Sequence, residues 1–474
     1  MNVLFCASEA TPFAASGGLG DVAGSLPKAI RNRKVACRVV LPLYGDMKEI
    51  FREKLTFITH FTVPVGWRSQ YCGVFELTQD GVKYYFLDNE YYFKRTGIYG
   101  FYDDGERYAF FSRAILEMLQ HIDFAPDLIH ANDWQTALVP VYLNLYYRHL
   151  VKFSAIKTVF TIHNIQYQGK YGLEILEDTL AIGRNEAHLL EFDGCVNFMK
   201  GAIECADKVT TVSPSYAGEI LDPWFSHGLD GLLRSKQYKL CGILNGIDTK
   251  GYDPETDPNL VANYNEKTVE IGKPKCKKEL QDLFGLHDWP VPVVGMVTRL
   301  VGHKGLDLVR HVAQDIVNNG MQLVILGNGD AAYEQFFTEL AARNPGAVGV
   351  KIGFIPAIAR KVYAGADMFL MPSKSEPCGL SQMVALRYGT VPIVRETGGL
   401  RDSIRDSGDG LGNGFTFASY NAHDMLNACL RAKEGYGNAN GWKQLVKRGM
   451  ACDCSWANSA KQYVEMYEQV CQLW

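Results

Sequence analysis

Short apolar runs alternate with amphipathic stretches from the start of the chain. Residues 2–8 (NVLFCAS), 37–44 (CRVVLPLY), 127–133 (DLIHAND), 157–164 (KTVFTIHN), 208–214 (KVTTVSP) and 239–248 (KLCGILNGID) each read as a strand. Between most of them lie stretches with helical spacing, such as ERYAFFSRAILEMLQHI at 106–122. Strand-like runs separated by helical ones predict a parallel sheet covered by helices on both faces. One hairpin interrupts the alternation, at 70–89, with Asp80-Gly81 as its turn.

From Thr249 to Pro274 the periodicity fades and Asp, Asn, Pro and Lys dominate, which predicts an interdomain connection followed by a helix, KKELQDLFG. The alternation then restarts with strands at 291–300, 321–329, 348–354, 367–373 and 391–397, a second doubly wound domain. The last stretch, 456–474, reads as a long amphipathic helix. The expected domains are 1–245, 246–455 and the helix 456–474, returning to the first domain.

A length of 474 residues suits two or three domains. A hydrophobic fraction of 47% with 21% charged residues is ordinary for a globular protein. The formal net charge of −4 argues against a nucleic-acid partner, so an anionic ligand has to meet a local cluster of cations. Twelve cysteines lie scattered without C-x-x-C pairs, as expected for reduced thiols in a cytoplasmic enzyme. The chain opens directly in a strand-like run without a basic leader, and it has no apolar stretch of the ~18–20 residues that cross a bilayer. A mature cytosolic protein is the expectation.

Ligands of doubly wound sheets bind beyond the carboxyl ends of the strands. The polar residues there are Glu9, Asp133, His163, Asn245, Arg299, Lys304 and Glu376. Two glycine-rich turns, AASGGLGD at 14–21 and TGGLRDS at 397–403, share the pattern Gly-Gly-Leu-x-Asp. The first contains no lysine or arginine, so it is not a self-sufficient phosphate loop. The chain has no G-x-S-x-G elbow, no H-E-x-x-H and no G-x-x-x-x-G-K-[ST] loop, and no D-x-D pair for a metal. The dinucleotide-like Gly327-x-Gly329-x-x-Ala332 is followed by a strand ending in Phe354 rather than an acid, which favours a packing turn over NAD binding.

The motifs SEATPFAASGGLGDVAGSLPKAI, HANDWQTAL, FTIHNIQYQGKY, LNGID, VTRLVGHKGLDL, SEPCGLSQMVALRYGTVPIVRETGGLRDS and SWANSAKQYVEMY occur in order along the whole chain. Together they resemble bacterial glycogen synthases and plant starch synthases. The resemblance implies the α/β GT-B architecture: two Rossmann-like domains facing a cleft and a C-terminal helix crossing back to the first. It implies metal-free transfer of glucose from ADP-glucose to the non-reducing end of an α-1,4-glucan with retention of configuration. The partners are then a nucleotide sugar and glucan chains. Two alternatives remain: a related enzyme using UDP-glucose, or a catalytically inactive glucan-binding protein.

The resemblance also assigns roles. Arg299 and Lys304 match the pair that binds the diphosphate, where negative charge develops. Glu376 matches the acid beside the transferred sugar; the second glutamate that many GT-B enzymes carry eight positions on is Val384 here. His163 matches a residue whose main-chain carbonyl faces the anomeric carbon, and Asp133 lies near sugar and acceptor. The main-chain N–H groups of Cys378, Gly379 and Leu380 are expected on glucose hydroxyls, and those of Thr397, Gly398 and Gly399 on phosphate. Asn245 is expected on sugar or phosphate, and Phe354 to stack on the base where the family often has tyrosine. The family usually has Lys-Thr before its first Gly-Gly-Leu; this chain has Ala15-Ser16. Ser16, Gly17 and Gly18 then offer a hydroxyl, amides and close approach, and Asp21 either bonds a sugar or caps the helix. For the acceptor the candidates are Glu9, Trp134, Tyr167, Phe93 and Tyr99, with core packing as the alternative for the aromatics.

Overall fold

The computed structural model describes residues 1–472. They form two compact units. The first comprises Met1–Val212, Ala217–Ile243 and the chain from Trp456 onward; the second comprises Ser213–Tyr216 and Leu244–Ser455.

The strands of the first unit are β1 (Asn2–Cys6), β2 (Ala36–Pro42), β3 (Thr56–Val65), β4 (Arg68–Gln79), β5 (Val82–Asp88), β6 (Leu128–Asn132), β7 (Lys157–Ile162), β8 (Lys170–Tyr171), β9 (Glu191–Phe192), β10 (Cys195–Asn197), β11 (Lys208–Thr211) and β12 (Leu240–Gly242). Nine of them build one sheet in the order β12-β11-β7-β6-β1-β2-β5-β4-β3. β3 and β4 run antiparallel at one edge, and the other neighbours except β4 and β5 are parallel. β8, β10 and β9 form a small antiparallel sheet of their own. The expected hairpin is present: Gln79 pairs with Val82, and Asp80 (φ 50°) and Gly81 (φ 79°) both adopt the positive φ that a tight type I′ turn requires.

Helix α1 (Gly18–Arg31) follows β1, and α2 (Asp104–His121) carries the amphipathic stretch of the sequence. Leu26 and Ile30 of α1 share a core with Val3, Phe5, Val39 and Phe86 of the sheet. Trp456, Ala460, Tyr463, Val464, Tyr467 and Val470 of the C-terminal helix enter the same core.

The second unit holds α3 (Val269–Phe284), β13 (Val293–Val297), α4 (Leu306–Asn318), β14 (Gln322–Gly327), β15 (Val348–Ile352), β16 (Met368–Met371), α5 (Ser381–Arg387), β17 (Val391–Arg395), α6 (Gly398–Ser403) and β18 (Phe415–Phe417). Its sheet is wholly parallel, in the order β15-β14-β13-β16-β17-β18. α3 starts within the expected connection and includes Pro274. Tertiary anchoring overrides the proline: the buried Lys273 ammonium donates to Thr390 Oγ1 (2.6 Å), Ala364 O (2.8 Å) and Tyr388 O (3.2 Å). The last helix, α7 (Trp456–Gln472), belongs to the first unit. Residues 473 and 474 of the expected helix lie outside the described residues.

Among the parallel strands of each large sheet the order reverses at one place. In the first it lies between β1 and β6, in the second between β13 and β16. Such switch points splay the connecting loops apart, and the carboxyl ends of their strands are the natural ligand sites.

Candidate active site

At the switch point of the first unit, the chain leaving β1 carries Ser8 and Glu9, both buried. The Glu9 carboxylate accepts from the Ser16 N–H (2.5 Å) and the Ser16 hydroxyl (2.9 Å), which folds the glycine-rich turn back over the strand end. Burial pushes the Glu9 carboxyl up, against the Ser16 and Gly20 donors that pull it down. Gly17 is the N-cap of α1, and Asp21 sits in the first turn, where a negative charge suits the helix dipole. Ser8 Oγ lies 2.6 Å from Tyr99 Oη, and Tyr44 Oη donates to Ser8 O at 2.6 Å.

β6 ends in Asn132, and Asp133 follows it. Asp133 has φ 57° and ψ 179°, a conformation that non-glycine residues rarely adopt and that costs ~1–3 kcal/mol. The turn aims its carboxylate at β7: Asp133 Oδ1 accepts from the His163 N–H at 2.8 Å, and the Asn164 N–H contributes as well. Burial nevertheless pushes the Asp133 carboxyl up to about 7, with the Glu9 charge adding to the rise. Burial drives the His163 imidazole down to about 3, so the ring is neutral. His163 Nε2 lies 2.9 Å from Asn132 Oδ1.

The acceptor candidates separate by exposure. Tyr167 is 53% exposed. Trp134 is buried, with its ring edge-on to Tyr108 at 5.3 Å between centroids. Phe93 is fully buried among Tyr44, Tyr92, Tyr108, Phe110 and Phe111. The expectation that Phe93 touches an acceptor is therefore corrected: it is a core residue beneath the loop that carries Tyr99.

The switch point of the second unit brings opposite charges together. Arg299 follows β13 and is exposed. Lys304 lies in a short turn before α4, and its Nζ donates to Glu376 Oε2 (2.7 Å) and Oε1 (3.0 Å). Ser373 Oγ donates to Glu376 Oε2 at 2.9 Å. Burial works to raise the Glu376 carboxyl, yet the Lys304 ammonium outweighs it and holds the group below the usual carboxylate range. Gly305 makes the approach possible: at φ 78°, a Cβ there would lie 2.0 Å from Pro372 O.

The turn after β16 carries Cys378, Gly379 and Leu380 into the start of α5. Burial, first among its causes, pushes the Cys378 thiol up to about 12, so it is inert as a nucleophile. The turn after β17 is packed into the first: the Gly399 N–H donates to Pro377 O (3.1 Å) and Glu376 O (3.2 Å), and the Thr397 N–H to Arg395 O (2.9 Å). Two of the three main-chain donors expected on phosphate are thus spent on the turn itself. Phe354, beyond β15, is 76% exposed. Asn245 is buried, and its Oδ1 has no hydrogen-bond partner among the described residues. Among the described residues no three His, Cys, Asp or Glu side chains gather as a metal-ligand set.

Three supporting residues escaped the sequence reading: Asn132, Ser373 and Gln382. Gln382 Nε2 donates to Gly379 O (2.9 Å), Cys378 O (3.0 Å) and Ser403 Oγ (3.0 Å), and Ser403 Oγ donates to Gly399 O (2.6 Å). Together they tie the two turns into one body. No sequence motif announces these contacts: those of Ser373 and Gln382 depend on the shape of a turn, and those of Asn132 on strand adjacency.

Residues 2–235 match the family model described as starch synthase catalytic domain, and residues 286–447 match that described as glycosyl transferases group 1. The chain is 53% identical over 475 residues to a glycogen synthase of Geobacillus thermodenitrificans (strain NG80-2), covering 99% of this chain and 98% of that protein. The chain belongs to the glycogen and starch synthase family. A second relative in the family, a glycogen synthase of Bacillus anthracis, is 49% identical over 99% of this chain and its own full length. The solved catalytic domain of starch synthase IV from Arabidopsis thaliana, bound to ADP and acarbose, superposes with a TM-score of 0.90 at 34% identity, covering 99% of both chains. Sucrose-phosphate synthase from Thermosynechococcus elongatus shares the fold at a TM-score of 0.62 and 16% identity. The fold is GT-B, and the protein is a hexosyltransferase of this family.

Proposed function

We propose that the chain transfers glucose from ADP-glucose to the non-reducing end of an α-1,4-glucan, with retention of configuration. The observation that carries the reading is the buried Lys304–Glu376 pair, with Arg299 nearby in sequence, at the switch point of the second sheet. In the reaction the bond from C1 to the diphosphate breaks and a bond from C1 to the acceptor 4-hydroxyl oxygen forms, releasing a proton. Arg299 and Lys304 stabilise the negative charge that grows on the departing diphosphate, a contribution of roughly 3–4 kcal/mol for a well-placed donor. Glu376 takes hydrogen bonds from the glucose and offsets the positive charge that develops at C1. The N–H groups of Cys378, Gly379 and Leu380 bind glucose hydroxyls. The Asn245 amide binds phosphate or sugar, and Phe354 stacks on the base.

In the first unit the His163 carbonyl faces the anomeric carbon, with Asp133 beside it. Ser16, Gly17, Gly18 and Asp21 shape the donor side, and Glu9, Tyr99, Trp134 and Tyr167 bind the glucan. No metal enters the proposal; enzyme treated with a chelator is expected to keep its full rate. The ADP held by the Arabidopsis relative supports adenine as the base. No helix among the described residues is long and apolar enough to cross a membrane, and action in the cytoplasm is part of the proposal.

Transfer of labelled glucose to glycogen, with ADP-glucose and UDP-glucose in parallel, tests the reading. Faster transfer from ADP-glucose is expected. Faster transfer from UDP-glucose overturns the donor assignment, and glycogen binding with no nucleotide release overturns transfer itself.

A further inference from the structure

The Asn132 side chain is fully buried at the switch point of the first sheet, where three strand ends meet. Its Nδ2 donates to Cys6 O on β1 (3.0 Å) and to His130 O on β6 (3.3 Å). Carbonyl oxygens only accept, so the NH2 end of the amide has to face them. The Oδ1 end then faces β7 and meets His163 Nε2 at 2.9 Å. An amide oxygen also only accepts, so Nε2 carries the proton and Nδ1 keeps its lone pair. The main chain is pinned too: the Asn132 N–H donates to Thr136 Oγ1 at 2.6 Å.

We propose that Asn132 is a positioning residue that holds the His163 imidazole in its neutral Nε2–H form and fixed orientation. The consequence for chemistry rests on the glucosyl-transfer reading above. Positive charge builds at the anomeric carbon as the donor bond breaks, and an imidazolium beside it would oppose that charge. Asn132 offers the ring an acceptor without a negative charge, so protonation gains little from the contact. A carboxylate in the same place would strongly favour the imidazolium. The other ionisable groups facing this corner are Asp133, which holds the His163 N–H; Glu9 at the end of β1; and the buried His130 below. His130 is neutral and adds no compensating charge: its Nδ1 meets Tyr467 Oη and its Nε2 meets Thr161 Oγ1, each at 2.6 Å.

Histidine-labelled full-length enzyme tests this directly. His163→Gln identifies the His163 ring signals among the eleven histidines. In the wild type those signals are expected to show the Nε2–H tautomer and to stay unprotonated from pH 8 to pH 5. In Asn132→Asp the ring is expected to take up a proton between about pH 6 and 8, around or above the ordinary histidine value. In Asn132→Ala, with the acceptor gone, the ring is expected to show a mixture of both neutral tautomers. Circular dichroism checks that each variant is folded; where only one folds, that one decides the matter, and where both fold, a change in either supports the proposal. Kinetics give a second readout: the acid limb of kcat, one proton steep in the wild type from Asp133, becomes two protons steep in Asn132→Asp. At pH 6, kcat is then ~10-fold lower than in the wild type after normalising at pH 8.

The proposal is overturned if wild-type His163 titrates near 6.5 or carries its proton on Nδ1. It is equally overturned if both folded variants leave the ring signals unchanged. The ring signals do not depend on turnover, so a chain that transferred no glucose would fail the functional reading while this measurement still decided the tautomer.

Discussion

At Gly18 an added Cβ would meet no atom within 4 Å, and at Gly17 only Glu9 Oε1 at 3.8 Å. At Gly398 and Gly399 it would collide with Glu376 O and Cys378 O, each at 2.0 Å. The two Gly-Gly-Leu-x-Asp turns are thus spelled alike and built differently. The second needs its glycines for the chain's own packing, because it lies against the Glu376–Cys378 loop and the Gly399 N–H donates into that loop. In the first, Gly20 packs against Ala15, but Gly17 and Gly18 are not needed that way, so these two are free to serve close approach by a substrate, as proposed above. The two switch points differ in charge in the same sense. The second holds a buried ion pair with a depressed acid, Glu376. The first holds acids raised by burial, Glu9 and Asp133, beside a neutral histidine. Charge is kept where a diphosphate is proposed to leave and muted where the sugar cation is proposed to form.

The hardest blow to this contrast is Lys304→Ala. It leaves Glu376 buried without its cation, and kcat is expected to fall ~10²–10³-fold. A steady-state rate within tenfold of wild type would break the assignment of charge to the second unit. Asp133→Asn probes the muted side. The Asp133 carboxyl sits at about 7 in the folded chain and near 3.9 when unfolded, so the native state binds the extra proton more tightly. Its contribution is present below pH ~4 and is lost as pH rises to about 7. Asn cannot ionise and has the shape of Asp, so the backbone cost at φ 57° and ψ 179° is the same in both. Asp133→Asn is therefore expected to melt higher than wild type at pH 8, by roughly 3 °C, and to match it near pH 4. Its kcat is expected to drop ~10²-fold and to lose the acid limb near pH 7.

Gly399→Ala should destabilise the second unit by about 3 kcal/mol through overpacking, whereas Gly18→Ala should leave the melting temperature unchanged within a degree. Calorimetry on the pair reads the comparison between the turns directly, and equal shifts would dissolve it. Gly18→Ala is instead expected to raise the donor KM a few-fold, as an added methyl would on a surface that a ligand approaches. The smallest effect is expected from Ala15→Lys. Ala15 is exposed, and a lysine there is expected to lower the donor KM ~2–5-fold with kcat nearly constant. A large rise in kcat at constant KM would show that the first turn's missing charge belongs to the chemistry.

The strands with continuous apolar runs were legible in the sequence, and so were the polar residues at their ends, because the βα alternation places them. β3 was not: it is a half-exposed edge strand with a bulge between Phe57 and Thr59 and Pro64 within it, so its pattern is diluted. β8, β9, β10 and β18 are two or three residues long, too short to carry a period. Phe93 was misread because an aromatic-rich loop looks the same in sequence whether its rings face out or in. Asn132 was missed because its partner Cys6 lies 126 residues away and is brought near only by the pairing of β1 with β6.

The first unit is also discontinuous in sequence. Its core along α1 and β2 is completed by Trp456, Tyr463 and Tyr467 of α7, and the Arg33 guanidinium donates to Ala457 O at 2.8 Å. During synthesis, residues 1–243 therefore emerge with one apolar face still open, and the helix that covers it follows only after the whole second unit. At usual ribosomal speeds that interval lasts roughly 10–40 s. The unit made first is thus the unit finished last, and its unfinished face has to be kept from other chains until α7 arrives.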